Sequence, residues 1–116
     1  MLEGHSVFQH PLRILYILSP VEDPSTSSFL TGISISKRKH PKATTRNLLK
    51  RKMREAFRLN KAIIIDWQAE SSYNLHMVIV YQVGEICQFR QIEAALIKGL
   101  IKLKQNIHTK LPETGL

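Results

Sequence analysis

The sequence predicts one small domain that mixes β-strands with amphipathic helices. Two short runs, residues 11–18 and 75–83, are apolar and rich in β-branched and aromatic side chains. Residues 29–37 alternate apolar and small polar side chains in period two. Two longer segments, one from residue 46 and one from residue 89, repeat their apolar side chains at helical spacing. At 116 residues the chain has room for a single modest core.

Residues 11–18 (PLRILYIL) read as a strand closed by Ser19-Pro20, and residues 21–28, with two acids, Pro24 and four Ser or Thr, as a loop. Along residues 29–37, Phe29, Thr31, Ile33 and Ile35 form an apolar side, and Leu30, Gly32, Ser34 and Ser36 the other. His40-Pro41 ends that strand, and Thr44 or Thr45 is a plausible N-cap for a helix from residue 46 to about residue 65. Residues 70–74 are polar and predict a loop. Residues 75–83 (LHMVIVYQV) are apolar enough for a central strand, and Gly84-Glu85 for a turn. From Phe89 to about Leu103, Ile92, Ala95, Leu96, Gly99, Leu100 and Leu103 mark a second helix. Residues 1–104 are expected to form one domain and residues 105–116 a flexible tail.

Charge is the informative part of the composition. The formal net charge is +8, and residues 37–61 hold 11 of the 17 basic residues against one acid, Glu55. That segment has a local excess of +10 and leaves −2 for the remainder. Such confinement points to a polyanion-binding face, since charge needed only for solubility would be spread. On the helix, Arg46, Lys50, Arg54 and Arg58 follow one another at i, i+4, with Asn47, Arg51 and Lys61 in the same arc. The opposite arc holds Leu48, Leu49, Met53, Ala56, Phe57 and Leu59. Like charges at this spacing repel, so the row is unfavourable unless a partner compensates it. From Arg46 to Arg58 it extends roughly 18 Å at about 1.5 Å per residue, enough to lie along several phosphates.

Other classes lose ground. No apolar run nears the roughly 20 residues of a membrane span, and no signal peptide opens the chain. Cys87 is the single cysteine, which rules out an intrachain disulfide and suits a buried thiol in a reducing cytoplasm. The nine acids are dispersed, with Glu22-Asp23 the one adjacent pair, whereas a two-metal nuclease needs converging carboxylates. His5, His10, His40, His76 and His108 lack ligand spacing, so no catalytic or metal site is assigned.

These residues resemble a known family. Ser34-Ile35-Ser36-Lys37-Arg38, followed by Lys42-Ala43-Thr44-Thr45-Arg46-Asn47-Leu48-Leu49-Lys50-Arg51-Lys52-Met53-Arg54-Glu55-Ala56-Phe57-Arg58, is similar to the signature of the bacterial ribonuclease P protein. Pro11-Leu12-Arg13 before a strand ending near Tyr16 resembles the family's first strand, and the likeness covers roughly residues 4–104. It implies an α+β fold: a two-layer α/β sandwich with a mostly antiparallel central sheet and a left-handed βαβ crossover. General rules would have favoured the right-handed crossover. The chain departs from the family in three places. Leu48 stands where an Arg is usual, His40-Pro41 where a Gly is usual. Ahead of Gly4, only Met1-Leu2-Glu3 stand where about twenty residues would form a basic first helix, so truncation is expected.

The resemblance also implies a division of labour. The RNA subunit of ribonuclease P, using Mg2+, hydrolyses the phosphodiester that frees the 5′ end of tRNA. The protein binds that catalytic RNA and the 5′ leader of precursor tRNA, and alone it is not expected to cleave. It would need neither a cofactor of its own nor a small-molecule substrate. Lys37, Arg38, Lys42, Arg46, Asn47, Lys50, Arg51, Arg54 and Arg58 are the candidate RNA contacts. Tyr16, Ser34 and Ser36 are the candidates for the leader cleft, although Tyr16 also suits a core-edge aromatic. A generic ribosome-associated or structured-RNA-binding module remains the alternative.

Overall fold

In the computed structural model, which describes residues 4–20, 29–70 and 73–110, four strands form one sheet with three helices on one of its faces. The strands are β1 (Gly4–Gln9), β2 (Leu12–Pro20), β3 (Phe29–Ile35) and β4 (Tyr73–Tyr81). The helices are α1 (Ala43–Asn60), α2 (Ala62–Glu70) and α3 (Phe89–Lys110). The sheet order is β1-β2-β4-β3. β1 with β2 and β2 with β4 are antiparallel, while β3 and β4 are parallel and joined through α1 and α2. The mixed, mostly antiparallel α+β arrangement matches the expectation. The loop predicted over residues 21–28 lies outside the described residues.

Alternation along the strands decides which face is covered. Leu12, Ile14 and Tyr16 of β2, with Leu75, Met77, Ile79 and Tyr81 of β4, are buried under the helices. They meet Leu49, Met53 and Ala56 of α1, Ile64 of α2, and Ile92, Leu96, Leu100, Leu103 and Ile107 of α3. α3 crosses β1 and β2 closely enough that a Cβ on Gly99 would stand 2.9 Å from Ile14 Cδ1. That close approach accounts for a glycine in the middle of a helix, where it otherwise costs about 1 kcal/mol.

Several boundaries differ from the sequence reading. Residues 4–9 form an edge strand that was not foreseen. They carry just one strongly strand-forming pair, Val7-Phe8, and gain their conformation by pairing with β2. α1 begins at Ala43 with Lys42 as N-cap and no side-chain cap, so neither Thr44 nor Thr45 caps it. Instead the Arg46 guanidinium reaches back to the carbonyls of His40 and Pro41, at 2.9 and 2.8 Å, and fixes the entry of the chain.

The single helix expected from residue 46 to about residue 65 is two. Asn60 donates its side-chain amide to the Ala56 carbonyl and to Glu93, both at 2.9 Å. Such local bonding competes with the helical pattern, and the chain turns at Lys61 before α2 begins. α2 and β4 occupy most of the predicted loop over residues 70–74. α3 continues to Lys110, with Ile107 buried, so residues 105–110 are helix rather than tail. Residues 111–116 lie outside the described residues.

Candidate nucleic-acid interface

α1 turns Leu49, Met53 and Ala56 to the core and leaves Asn47, Arg51, Arg54 and Arg58 exposed. Leu48 and Leu59, expected in the apolar arc, are solvent-facing instead, because the helix meets β3 and α3 along a narrower stripe. The cations of the row are not equivalent. Arg46 is half-buried and committed to the turn ahead of the helix. Arg58 is paired bidentately with Glu55 at 3.0 and 2.6 Å, which holds the Glu55 carboxyl below its ordinary range. Arg54 forms no ion pair among the described residues. It lines, with Arg58 and Lys61, a groove of about 440 Å³ against Thr31, Gly32 and Ile33 of the β3 edge.

The turn before α1 is built tightly. The Ser36 hydroxyl accepts from the Lys39 amide at 3.3 Å, and its carbonyl accepts from the His40 amide at 3.0 Å. His40 is 4% exposed, donates from Nε2 to the Val83 carbonyl at 2.7 Å, and sets its ring edgewise to Tyr81. Lys39 is fastened to the Gln82 carbonyl at 2.8 Å. Lys37, Arg38 and Lys42 project outward from this rigid turn and continue the cationic surface of α1.

Among the described residues, no element covers the sheet face away from the helices. Strand registers place Phe8, Arg13, Val80 and Ser34 side by side in one row, with Leu15, Val78 and Gly32 in the next. Ile17, His76 and Leu30 follow. Phe8, Leu15, Ile17, Leu30 and Val78 are all exposed, an apolar extent that marks a contact surface. Arg13 lies over the Phe8 ring at 5.2 Å and is held by Gln82 at 3.0 Å and Ser6 at 3.2 Å.

Ser34 stands on this open face, and Ser36 follows at its end, its polar atoms engaged in the turn. Tyr16 does not join them. It lies on the covered face, 2% exposed and hydrogen-bonded to Asn106 of α3, and burial raises its pKa. No ring face is available for a nucleotide, so its candidacy for the leader cleft is withdrawn in favour of the core-edge role. Period two alone could have warned of this, since Tyr16 shares parity with Leu12 and Ile14. Phe8 and Arg13 supply a ring and a cation to the open face; Phe8 was missed because β1 was unrecognised, and Arg13, on the recognised β2, because its partner ring is on that missing strand.

The fold and this surface define a two-layer α+β domain whose cationic helix runs beside an open sheet face. The family described as Ribonuclease P matches residues 1–104. The ribonuclease P protein components of two Porphyromonas gingivalis strains are each 33% identical over 105 residues, covering 90% of this chain and 75% of theirs. The Staphylococcus aureus RNase P protein has a similar structure, with a TM-score of 0.62 at 25% identity over 87% of this chain and 82% of that one. A mutant of that protein described as defective in mRNA degradation activity aligns with a TM-score of 0.63 at 25% identity, over 88% of this chain and 76% of its own. The chain belongs to the ribonuclease P protein component family, the protein part of a ribonucleoprotein endoribonuclease of tRNA processing. Its partner is therefore RNA. No helix among the described residues is long and apolar enough to cross a membrane.

Proposed function

We propose that this chain binds the catalytic RNA of ribonuclease P and the 5′ leader of precursor tRNA, assisting removal of the leader in the cytoplasm. One observation carries this reading: an exposed cationic row on a helix whose other side is locked in the core, beside a sheet face left uncovered. Helix α1 and the turn, through Lys37, Arg38, Lys42, Lys50, Arg51 and Arg54, supply the fixed positive surface that a folded RNA backbone requires. Arg46, Asn47 and Arg58 belong to the same surface. Arg46 shapes it more than it contacts RNA, and Arg58 is available once Glu55 is displaced. The open sheet face offers a stacking ring, Phe8, a guanidinium, Arg13, and a hydroxyl, Ser34. Those groups suit a single strand, whose unpaired bases can lie flat on an apolar surface. Hydrolysis and its Mg2+ belong to the RNA.

Reconstitution tests the proposal. Added to its cognate catalytic RNA at low magnesium, the protein should raise cleavage of precursor tRNA with a leader, and by itself it should cleave nothing. No effect on the catalytic RNA would leave a generic structured-RNA-binding module. Magnesium-dependent cleavage by RNA-free protein would overturn the division of labour.

A further inference from the structure

We propose that His10, Glu85 and Cys87 form a binding site for a divalent cation of borderline softness, Zn2+ in the first instance. The residues are remote in sequence, and the topology brings them together. β2 pairs with β4 so that Leu12 faces Tyr81, which sets the β1–β2 turn against the β4–α3 connection. The Gln82 amide donates to the Pro11 carbonyl at 3.2 Å and stitches the two segments. His10 Nε2 lies 3.0 Å from Glu85 Oε1, and one ligand atom from each of the three residues falls within 4.8 Å of the others. Tetrahedral Zn2+ takes nitrogen and oxygen at about 2.0 Å and sulfur at about 2.3 Å, so these atoms need to draw in by roughly 1 Å.

Three features argue for an ion rather than an ordinary exposed His–Glu pair. First, a buried sulfur lies beneath the pair, and imidazole and thiolate beside a carboxylate form a zinc donor set, whereas Mg2+ and Ca2+ take oxygen ligands. Second, a thiolate and a carboxylate would supply two negative charges, which match a divalent ion. Third, the backbone of two ligands is braced from the protein interior. The Tyr81 hydroxyl donates to the Glu85 carbonyl at 2.6 Å and accepts from the Cys87 amide at 2.9 Å, and Lys52 Nζ donates to the Cys87 carbonyl at 3.2 Å. These bonds fix the backbone that carries the Glu85 and Cys87 side chains. His10 and Cys87 also line a cavity of about 220 Å³ with Gln91 and Lys98, which gives the ion an entry path and leaves room for a water as fourth ligand. A bound ion would clamp the β1–β2 turn to the segment that leads into α3. Nothing in this site depends on RNA binding, and the Mg2+ of the ribonucleoprotein should not compete for it.

The test uses the full chain, stripped with a chelator and titrated with Zn2+ by calorimetry, then loaded with Co2+ and observed by absorption. One ion should bind per chain, Mg2+ should not displace it, and Co2+ should give a thiolate charge-transfer band in the near ultraviolet. Cys87→Ser should abolish that band. Because Cys87 is buried, the exposed ligands provide the control for folding: His10→Gln and Glu85→Gln should keep the far-ultraviolet circular dichroism unchanged. Each should nevertheless weaken Zn2+ by at least the roughly 10–100-fold that loss of an outer partner alone costs. A Co2+ spectrum without the thiolate band, or Zn2+ affinity unchanged in His10→Gln, would overturn the site.

Discussion

Arg54→Ala isolates one unpaired cation of α1 from the geometry of its neighbours. Arg54 is exposed, forms no ion pair among the described residues, and faces the β3 edge with Arg58 and Lys61. If Arg54 meets a phosphate, its removal deletes that contact and breaks no ion pair among the described residues. Each neutralised phosphate contributes about 0.7–0.9 to the slope of log affinity against log salt. If Lys37, Arg38, Lys42, Lys50, Arg51 and Arg54 each meet one phosphate, the wild-type slope is roughly −5 and that of the variant is shallower by almost one. Between about 50 and 200 mM salt the wild type should then lose roughly 2.5- to 3.5-fold more affinity than Arg54→Ala. Fluorescence anisotropy with the catalytic RNA, repeated across that range, measures both slopes. Arg46→Ala is the contrasting perturbation. It breaks the two bonds to His40 and Pro41 and should lower stability by about 1–2 kcal/mol, since charged hydrogen bonds are worth that much when partly buried. Its slope should change less than that of Arg54→Ala. An unchanged slope in Arg54→Ala, or a larger change in Arg46→Ala, would refute the assignment of contact to the first and support to the second.

Glu55→Gln should tighten RNA binding at low salt and steepen its salt dependence, because Arg58 is released from its bidentate partner; affinity equal to or weaker than wild type would count against Arg58 as a latent contact. Tyr16→Phe should cost about 1 kcal/mol through the lost bond to Asn106 and leave leader affinity unchanged, whereas Phe8→Ala should weaken a single-stranded leader by about 1–3 kcal/mol if a base stacks there. Alkaline pH should destabilise the fold. Burial raises the pKa of Tyr16 and Tyr81 above the ordinary 10.0, so the unfolded chain releases these protons first. Their contribution is complete below about pH 10 and declines as pH rises towards the folded values, a decline that thermal melts with tyrosinate absorbance would follow.

Much of the fold was readable because its strongest elements carry their own periodicity. β2, β3, β4 and α3 as far as about Leu103 were recognisable from apolar spacing, and the parallel β3–β4 pair with its helical crossover followed from the family likeness. What escaped depends on tertiary partners. β1 is a strand because β2 lies beside it. Residues 105–110 remain helical because Ile107 reaches the core. At the break between α1 and α2, Asn60 bonds both the Ala56 carbonyl and Glu93, 33 residues away, and no local pattern contains the second contact.

The candidate site was readable as a charge distribution, but not as a division of work among its charges. Arg46, Arg54 and Arg58 fall within one arc of the helical wheel, and apart from Glu55 three residues before Arg58 nothing in that pattern separates them. Folding does so by giving each a different neighbour: two backbone carbonyls, a groove open to solvent, and a carboxylate one turn away. The helix therefore tolerates its own repulsion unevenly. Arg46 is neutralised in effect by carbonyl dipoles and Arg58 by Glu55, while Arg54, Arg51 and Lys50 keep an uncompensated field. Polyanion binding relieves that field most where the protein relieves it least, so affinity should concentrate in the middle of α1 rather than spread along all 11 cations of the basic stretch.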